Sequence, residues 1–547
     1  MSNSRSPLVF KFAAEDWEFE QIHRLNYRTF VEEIPQHRAS PTHRLVDKFH
    51  AENTYLICLC DQRLAGMLAV RGKRPFSLDQ KLPNLDAYLP PRRTVCEVRL
   101  LAIDRQFRRA RGGQILSGLL ALLWQHSVER GYDLAVISGT TRQLRLYQHL
   151  GFVPFGPLVG DDGAQFQPMH VTLETFEVTA REFLRSSPTR SFQPSAVNLL
   201  TGPVAIRREV RRAFEQAPES HRTADFKAEF QDTQRMLCDL TRASRVELLL
   251  GSGTLANDVV AAHLSLLPGP GIVLSNGEFG ERLIDHARRF RLRFDAVQSG
   301  WGEALNLKRV GEMLAGAPAW LWCVHCETAT GVLNDAETLK GLCAGSGVKF
   351  CLDAVSSIGT VPVNLEGVYL ASCASGKGLR SYPGIAMVFC HHLVPSAADC
   401  LPRYLDLDLY TRQDGIPFTF SSNLLHALHA AVRGVNWERH FTELTETSKW
   451  LRARLAETGF QVVGTSTRTS PAVITVALPP ELNSVSVGSL MREAGFLLGC
   501  NSDYLRHRNW IQICLMGEAA HETVVSLVNA LQRVCFRQRT KSALAGA

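Results

Sequence analysis

Six short apolar runs, most of them separated by helical segments, fill residues 246–390 and constrain the fold most strongly. In chain order they are VELLLGSG, GIVLSNG, AWLWCVHCE, VKFCLDAV, VYLASCAS and GIAMVFC. Strands that are apolar throughout and joined by helical crossovers predict a mainly parallel sheet with helices on both faces. The fold class is therefore α/β, and ligands are expected at the carboxyl ends of the strands.

The chain has 547 residues, which is too many for one ordinary hydrophobic core. A stretch rich in Ser, Pro and Thr, FLRSSPTRSFQPSAVNLLTGP, starts at residue 183 and sustains no periodicity. We therefore predict a first domain at 1–182, a linker at 183–197, a second domain at 198–535 and a disordered tail at 536–547. In the first domain, strands at 54–70, 96–104 and 132–139 alternate with helices at 112–130 and 140–151, which predicts a smaller α+β domain.

Composition excludes several classes of function. The net charge is +7 and the basic residues are scattered, so no nucleic-acid surface is expected. No signal peptide and no run of about 18 apolar residues is present, so we expect a cytoplasmic protein without a membrane span. The 14 cysteines have no regular spacing and several lie in apolar runs, which predicts free thiols and no metal site.

Polar residues of distinctive types follow four of the predicted strands. A Gly-Ser-Gly-Thr turn leads from the first strand into a helix, where free N–H groups and hydroxyls could cradle a phosphate or simply cap the helix. A carboxylate at the end of a buried strand needs a partner or a function. These residues are Ser252, Gly253 and Thr254 after the first strand, His325, Glu327, Thr328 and Thr330 after the third, Asp353 after the fourth, and Lys377 after the fifth.

Together these residues indicate one cofactor, pyridoxal 5'-phosphate. A lysine amine can bond to its aldehyde, and a carboxylate can keep the pyridine nitrogen protonated so that the ring withdraws electrons. A helix N-terminus can hold its phosphate. The combination of Lys377, Asp353 and the turn at Ser252 is far more specific than any one of them.

Residues 195–535 resemble the class V aminotransferases of fold type I. The pattern is most similar to 2-aminoethylphosphonate–pyruvate and serine/alanine–glyoxylate transaminases. The matching stretches, in the family's order, are LLTGPV, GSGT, NGEFGER, VHCETATG, LDAVSSIGT, SGKGL with a following PG, and WIQICLMGE. The resemblance implies a large, mainly parallel sheet domain followed by a small C-terminal α+β domain.

The same resemblance implies a role for each matching residue. Lys377 would bind the cofactor's aldehyde and carry protons, and Asp353 would pair with the pyridinium. Phe279 would stack on the ring, although an aromatic residue of the core is the alternative. Thr419 would reach the phosphate in a neighbouring subunit, which implies a homodimer through this domain. The remaining implied cofactor-binding residues are Ser252, Gly253, Thr254, Thr328 and Ser375.

One position departs from the family. Gln512 stands where relatives carry an arginine that binds the substrate's carboxylate or phosphonate, and an amide cannot replace a bidentate guanidinium. Arg506 and Arg508 are the nearby substitutes, with a solvent-exposed loop as the alternative. A lyase or decarboxylase reaction therefore stays open beside transamination of a small amino substrate.

The first domain contains two motifs of another kind. The stretch RQFRRARGGQILSGLL follows a strand, and YQHLGF follows a short helix. They resemble the pyrophosphate-binding and Tyr-x-x-x-Gly-Phe motifs of GNAT acyltransferases. By that resemblance Tyr147 would protonate the leaving thiolate, and Gln114 departs from the small residue expected there. The implied thioester-binding residues are Arg109, Gly112, Gly113 and Gln114.

The stretches IHRLNYRTFVEEI and CEVRLLAI narrow this resemblance to acyl-homoserine-lactone synthases and N-acyl amino acid synthases. In that branch Glu97 and Arg99 would frame the amine acceptor, with an ordinary cross-strand pair as the alternative. The implied donor is an acyl thioester on coenzyme A or on an acyl carrier protein, which would then be a partner. The alternative is a non-catalytic module that binds a carrier or coenzyme A.

The two resemblances together predict a bifunctional enzyme. The second domain would form an amino compound in a pyridoxal phosphate-dependent reaction, and the first would acylate an amine from a thioester. Joining the two raises the local concentration of a shared intermediate. The sequence identifies no general base for the acyl transfer.

Overall fold

Two mixed sheets dominate the structure, one of eight strands in the N-terminal part of the chain and one of seven strands in the C-terminal part. The computed structural model describes residues 8–34, 38–91, 93–161, 164–179, 196–392, 394, 396–397, 399–464, 468–517 and 521–545. The chain divides into a first unit, residues 1–196, and a second unit, residues 197–547. This division falls within the predicted linker, of which residues 183–195 lie outside the described residues.

The first unit is built around a sheet in which the strands follow the order β1-β2-β3-β4-β5-β8-β6, with β7 paired to β8. A π-helix, Arg28–Glu33, continues α1 without a break. The elements are β1 Leu8–Phe12, α1 Asp16–Tyr27, β2 Thr54–Cys60, β3 Arg63–Arg71, β4 Val95–Ile103, α2 Arg105–Arg130, β5 Leu134–Thr140, α3 Leu144–His149, β6 Val153–Pro154, β7 Val159–Asp161, β8 Ala164–Thr172 and α4 Leu173–Thr179, with 3-10 turns at Leu85–Tyr88 and Thr141–Gln143.

Strands β4 and β5 are parallel neighbours that separate. They pair only where Val95–Glu97 faces Leu134–Val136, although β4 continues to Ile103 and β5 to Thr140. Leu100 has a φ of 54°, and the β3–β4 register shifts between Met67 and Ala69. A left-handed residue inside a strand bends it and breaks the alternation of its side chains. The first unit therefore has a gap in its sheet beyond Glu97.

The second unit opens with β9 and closes with a long helix. Its elements are β9 Val197–Leu199, α5 Arg208–Phe214, α6 Ala224–Thr241, β10 Arg245–Gly251, α7 Gly253–Leu264, β11 Gly271–Ser275, α8 Glu278–Arg289, β12 Phe294–Gln298, α9 Leu307–Leu314, β13 Trp320–Val324, β14 Cys326–Glu327, β15 Val332–Leu333, α10 Ala336–Gly345, β16 Lys349–Asp353, β17 Leu370–Ala374, β18 Gly384–Cys390, α11 Leu407–Arg412, α12 Ser422–Val432, α13 Trp437–Glu457, β19 Gln461–Val462, β20 Val473–Ala477, α14 Ser484–Glu493, β21 Phe496–Leu498, α15 Asp503–Arg508, β22 Trp510–Cys514 and α16 His521–Ala545, with a 3-10 turn at Arg403–Leu405.

The seven-stranded sheet has the order β10-β18-β17-β16-β13-β11-β12. All six predicted strands belong to it. Strand β18 is antiparallel to both neighbours, and the other pairs are parallel. The apolar clusters on its two faces contain fully buried side chains such as Leu321 and Phe389 on one face and Trp322 and Val388 on the other. A mainly parallel sheet buried on both faces agrees with the predicted α/β class.

A smaller sheet, β19-β20-β22, follows in the C-terminal part. Helix α16 covers residues 536–545, where the sequence predicts a disordered tail, and residues 546–547 lie outside the described residues. Among the described residues, no helix combines the length and the apolar character that crossing a bilayer requires.

Candidate functional site

Lys377 lies in a turn that follows β17, at the carboxyl end of this strand of the seven-stranded sheet. Its Nζ donates a hydrogen bond to the carbonyl oxygen of Thr201 at 2.7 Å. A methyl group on Gly202 would come within 3.3 Å of Lys377 Nζ, so the N-terminal LLTGPV segment closes over the amine. Burial is the main cause that lowers the pKa of Lys377. An amine of this kind is more readily deprotonated than an exposed lysine.

Asp353 ends β16 and belongs to a buried chain of hydrogen bonds. Its Oδ2 accepts from Asn257 Nδ2 at 2.8 Å, and Asn257 Oδ1 accepts from Ser372 Oγ at 2.6 Å. Its Oδ1 accepts from the N–H of Val355. Burial raises the pKa of Asp353, while the bonds from Asn257 and Val355 oppose the rise. The carboxylate is held in a fixed orientation beside Lys377, whose charge also acts on the pKa of Asp353.

The predicted phosphate cradle forms the start of α7. Ser252 is the N-cap residue, and its hydroxyl makes no capping bond; Ser252 and Thr254 are exposed. The first N–H groups of a helix have no acceptor within the helix. A side chain on Gly253 would come within 3.0 Å of Val355, which follows Asp353. Free donors and hydroxyls therefore lie at the same sheet edge as the carboxylate.

Phe279 lies in the first turn of α8 and is half-buried. The carboxylate of Glu327 accepts from the N–H groups of Phe279 and Gly280, both at 3.1 Å, and so caps this helix. Burial, despite these bonds, raises the pKa of Glu327 to about 7. The guanidinium of Arg282 lies 4.8 Å from the centre of the Phe279 ring. Glu327 therefore positions the aromatic side chain that the sequence assigned to the cofactor ring.

Thr328 and Ser375 are both buried, and both hydroxyls have protein partners. Thr328 Oγ1 donates to Ser356 Oγ at 2.7 Å. Ser375 Oγ donates to the carbonyl of Tyr382 at 2.6 Å and accepts from the N–H of Ile385 at 3.1 Å. The hydroxyl of Ser375 thus closes the turn that carries Lys377.

Gln512 is fully buried and makes four contacts within the protein. Its Oε1 accepts from the hydroxyl of Tyr504 at 3.0 Å. Its Nε2 lies 2.7 Å from the carbonyl of Thr328, 3.1 Å from that of Ala329 and 3.0 Å from Thr475 Oγ1. The amide therefore ties the small sheet to the segment that carries Thr328.

The three remaining residues predicted for this site are exposed. Arg508 packs its guanidinium 3.5 Å from the centre of the Trp301 ring, and Arg506 lies 3.9 Å from Asp503. Thr419 is exposed on the loop before α12. These residues have no described contact with Lys377 or Asp353.

Sequence reasoning missed Thr201, Gly202, Asn257, Ser356 and Ser372 as parts of this site. Asn257 is 96 residues from Asp353 in sequence, and only the packing of α7 beside the sheet brings them together. The LLTGPV stretch matched the family, and a cis Gly202-Pro203 bond lies within it. That match was the one signal that could have identified Gly202.

Tyr147 in the first unit lies on α3 against β5. A side chain on Gly139 would come within 3.0 Å of its ring, and its hydroxyl donates to Gln143 Oε1 at 3.2 Å. Burial raises the pKa of Tyr147, so the phenol keeps its proton at neutral pH. Gly139 belongs to the part of β5 that has separated from β4. The tyrosine is therefore placed beside the gap in the sheet.

Glu97 and Arg99 lie on β4, and the protein itself occupies both side chains. Glu97 is fully buried and accepts from the N–H groups of Ser77 at 2.8 Å and Leu78 at 3.2 Å, and from the Ser77 hydroxyl. Arg99 forms a bidentate pair with Asp47, at 2.8 and 3.0 Å. Arg99 Nε lies 3.6 Å from Glu97. The pair holds the segments around Asp47 and Ser77.

The sequence predicts a helix from Gly112, but helix α2 begins seven residues earlier. Helix α2 begins at Arg105, with Asp104 as its N-cap, so Gly112 and Gly113 lie inside the helix with N–H groups committed to it. A Cβ at either glycine would have no atom within 4 Å. Arg109 and Gln114 are exposed on the same helix. The helix can begin directly after Asp104 because the residues from Arg105 to Arg111 are all compatible with a helix.

Two family models match separate parts of the chain. The model of the N-acyl amino acid synthase FeeM matches residues 21–171, and that of the class V aminotransferases matches residues 214–400. The chain joins an FeeM-type domain to a class V aminotransferase domain. It is thus an enzyme with transferase activity, in which the two domains form a bifunctional arrangement.

Relatives and solved structures match mainly the aminotransferase domain. The soluble hydrogenase 42 kDa subunit of Anabaena cylindrica is 28% identical over 359 residues, which cover 61% of this chain and 92% of that protein. The 2-aminoethylphosphonate–pyruvate transaminase of Pseudomonas aeruginosa is 29% identical over 269 residues, 46% of this chain and 72% of that protein. The alanine–glyoxylate aminotransferase of Nostoc sp. is 27% identical, with a TM-score of 0.57, and the match covers 64% of this chain and 98% of that one.

Proposed function

We propose that the second unit is a pyridoxal 5'-phosphate-dependent aminotransferase and that the first unit acylates an amino group from an acyl thioester. One observation carries the first half: the half-buried Lys377 and the buried carboxylate of Asp353 lie at the carboxyl ends of the neighbouring parallel strands β17 and β16. The open N-terminus of α7 lies at the same edge. The relatives named as transaminases support this assignment.

The residues at this edge fit pyridoxal phosphate. Ser252, Gly253 and Thr254 would hold its phosphate through N–H groups and hydroxyls that have no partner within the helix. Asp353, oriented by Asn257, would accept a hydrogen bond from the protonated ring nitrogen and so keep it protonated. Thr328 and Phe279 would contact the ring, and Ser375 would shape the turn around Lys377. When bound, the cofactor supplies an electron sink for the carbon that carries the amino group.

Lys377 would act at Nζ, as the attachment point for the aldehyde and as the group that takes and returns the substrate's proton. The lowered pKa of this amine, caused mainly by burial, favours the neutral form that proton transfer needs. The carbonyl of Thr201, 2.7 Å away, would orient it. A side chain in place of Gly202 would crowd the amine, since its Cβ would lie 3.3 Å from Lys377 Nζ.

The substrate of the second unit is proposed to be a small amino compound. Gln512 is committed to four protein contacts, so it offers no clamp for a carboxylate or phosphonate. Arg506 and Arg508 lie on an exposed helix end and would act only on a substrate that extends there. Because Gln512 provides no clamp where the family pattern has an arginine, a lyase or decarboxylase reaction stays as the second candidate.

The visible absorption of the bound cofactor tests the proposal directly. Wild-type protein should be yellow, and an amino donor should convert the cofactor to its pyridoxamine form, which the Lys377→Ala variant should not do. We would screen amino acids and aminophosphonates as donors. Donors that are consumed while the pyridoxamine form never accumulates or reacts with a keto acid would contradict transamination and favour the lyase.

The gap between β4 and β5 supports the acyl-transfer half. It exposes strand edges beside Tyr147, where an extended thioester arm can bind, as in β-strand addition. The donor would be an acyl-coenzyme A or an acyl carrier protein, and Tyr147 would protonate the departing thiolate. The FeeM match supports an amino acid as the acceptor, which we propose to be the product of the second unit.

Tyr147→Phe tests this role. Amine-dependent thiol release from an acyl-coenzyme A should fall by about 10²-fold or more, the usual contribution of a positioned acid. Tyr88→Phe, at an exposed tyrosine of the same unit, is the control. Unchanged thiol release in Tyr147→Phe would favour a module that only binds the thioester.

We also propose a homodimer through the second unit and a cytoplasmic location. Thr419 is exposed on a loop, as a residue that serves a neighbouring subunit must be. The cysteines among the described residues are free thiols, most of them buried, as expected in a reducing compartment. Light scattering should give twice the chain mass; a monomer with full activity would contradict the dimer.

A further inference from the structure

Three polar side chains on the first helix of the first unit are buried and carry atoms that make no hydrogen bond to any described residue. His23, Asn26 and Thr29 lie three residues apart, so they share one face of α1 and its π-helical continuation. They are 5%, 0% and 4% exposed. Within the described part of the chain, His23 Nδ1, both amide atoms of Asn26 and the Thr29 hydroxyl make no hydrogen bond. We call these residues the α1 polar stripe.

Such a stripe is costly unless something binds to it. Each unpaired buried polar group costs about 1–3 kcal/mol, and more than nine-tenths of buried polar groups in native proteins have partners. Four unpaired atoms on one helix face therefore indicate a ligand with several hydrogen-bonding groups. The π-helix at Arg28–Glu33 is a second unusual feature, because π-helical turns occur mostly at functional sites.

The α1 polar stripe lies near the gap in the sheet. On the same helix, Ile22 and Leu25 pack in one apolar cluster with Ala102 and Leu100 of β4. Arg28, between Asn26 and Thr29, pairs with Asp104 at the end of β4 at 2.9 Å. Leu100 is the left-handed residue in the part of β4 that has left β5. The helix that carries the stripe therefore crosses β4 beside the opening.

A polar network borders the stripe on its other side. The ring of His23 meets that of His50 at 4.7 Å between centroids, and His50 Nδ1 lies 3.1 Å from the hydroxyl of Tyr55. Asn53 links this hydroxyl to Asp47, the partner of Arg99. Burial, and then the neighbouring His50 and Arg44 side chains, lowers the pKa of His23, against a smaller opposing effect of Glu20. The imidazole is therefore neutral at neutral pH and can accept a proton.

We propose that the α1 polar stripe is the acceptor-amine site of the first unit, with Asn26 and Thr29 binding the amine-bearing substrate and His23 acting as the general base. This inference rests on the proposed acyl-transfer function and deepens it. It supplies the base that an acyl transfer to an amine requires and that no motif identified. The ligand is a primary amine with polar groups beside it, such as an amino acid.

The acceptor arrives as an ammonium ion, and His23 Nδ1 takes one proton from it. The neutral amine then forms a C–N bond with the thioester carbon, and the C–S bond breaks. Tyr147 gives its proton to the departing thiolate and regains one from the nitrogen through solvent. The products are an amide and a thiol, and His23 releases its proton to solvent.

The test compares two nucleophiles in the full-length chain. One is an equimolar mixture of the twenty amino acids, which are ammonium ions near neutral pH; the other is hydroxylamine, which is already neutral. With a long-chain acyl-coenzyme A as donor, His23→Gln should lower N-acyl amino acid formation by about 10²-fold or more. Hydroxamate formation from hydroxylamine should stay within a few-fold of wild type, because this nucleophile needs no base.

Further variants separate catalysis from structure. Asn26→Ala and Thr29→Val should raise KM for the amino acids and leave hydroxamate formation unchanged. His126→Gln, at another buried histidine of the first unit, should leave both reactions unchanged. Circular dichroism would confirm that each variant is folded.

Two results would overturn the inference. The first is an equal loss of both reactions in folded His23→Gln, which would make His23 structural. The second is unchanged amino acid acylation in that variant, which would mean that water alone occupies the stripe. Failure of the wild type with both nucleophiles would instead overturn the proposed acyl-transfer function on which the inference rests.

Discussion

Gln512 shows how one residue changes what a site can do. Its amide meets three acceptors and one hydroxyl donor, all inside the protein. We predict that Gln512→Ala lowers the free energy of unfolding of the second unit by about 3 kcal/mol, because several buried polar groups lose their partner. Chemical denaturation would measure this. Gln413→Ala, at an exposed position, should change it by less than about 0.5 kcal/mol.

A loss of substrate affinity in Gln512→Ala without any loss of stability would contradict this reading. Such a result would make the amide a substrate ligand, as its position in the family pattern suggested. The sequence predicted that Gln512 departs from the arginine of the family pattern, but it could not predict what the amide contacts. The three partners of Gln512 Nε2 lie 37, 183 and 184 residues away in the sequence. Only the fold brings these residues together.

His325 is a second residue whose effect depends on burial. Burial lowers its pKa from 6.5 to about 4, and its Nδ1 has no partner in the described part of the chain. The unfolded chain therefore binds a proton that the folded chain excludes. Its contribution to stability is complete above pH 6.5 and is lost as the pH falls towards about 4.

We predict that His325→Phe makes stability less dependent on pH across this window, by about 3 kcal/mol at most. The measurement is the free energy of unfolding at several pH values for both proteins. His507→Asn, at an exposed histidine, is the control. Identical pH slopes for wild type and His325→Phe would contradict the account.

At the scale of elements, the glycines of helix α2 could serve either as part of a thioester-binding motif or only as residues inside a helix. Gly112 and Gly113 lie inside the helix, and a Cβ at either one would meet no atom within 4 Å. Since glycine is about 1 kcal/mol less favourable than alanine in a helix, Gly112→Ala and Gly113→Ala should each raise the free energy of unfolding by about 0.5–1 kcal/mol. Binding of acyl-coenzyme A should not change.

Calorimetry of acyl-coenzyme A binding, next to denaturation of each variant, would decide. If these variants bound acyl-coenzyme A more weakly and were no more stable, the glycines would belong to the thioester-binding site that the motif predicts. The sequence placed the start of this helix at Gly112 because the apolar positions of its helical face begin at Ile115. It did not show that Asp104 caps a helix that begins at Arg105, seven residues before Gly112.

Other elements were predictable to different degrees. The six apolar runs were all confirmed as strands, because a strand buried on both faces has a strong signal. Strand β12, Phe294–Gln298, was missed, since it lies at the sheet edge and is mostly exposed. The antiparallel direction of β18 could not be read from an apolar run, which looks the same in either direction.

On the scale of the whole molecule, the chain combines two units with separate sheets and separate candidate sites. The sites differ in how far sequence reasoning reached. Lys377 and Asp353 follow predicted strands, so their position at one edge was expected. The α1 polar stripe was not found, because unpaired burial is a property of packing that no residue pattern displays.

One measurement tests the coupling of the two units most directly. Full-length protein would be incubated with an amino donor labelled with heavy nitrogen, an unlabelled keto acid and a long-chain acyl-coenzyme A. The account predicts an N-acyl product that carries the label, and no labelled product from Lys377→Ala. An N-acyl product without the label, formed equally well by Lys377→Ala, would contradict the claim that the second unit makes the amine that the first unit acylates.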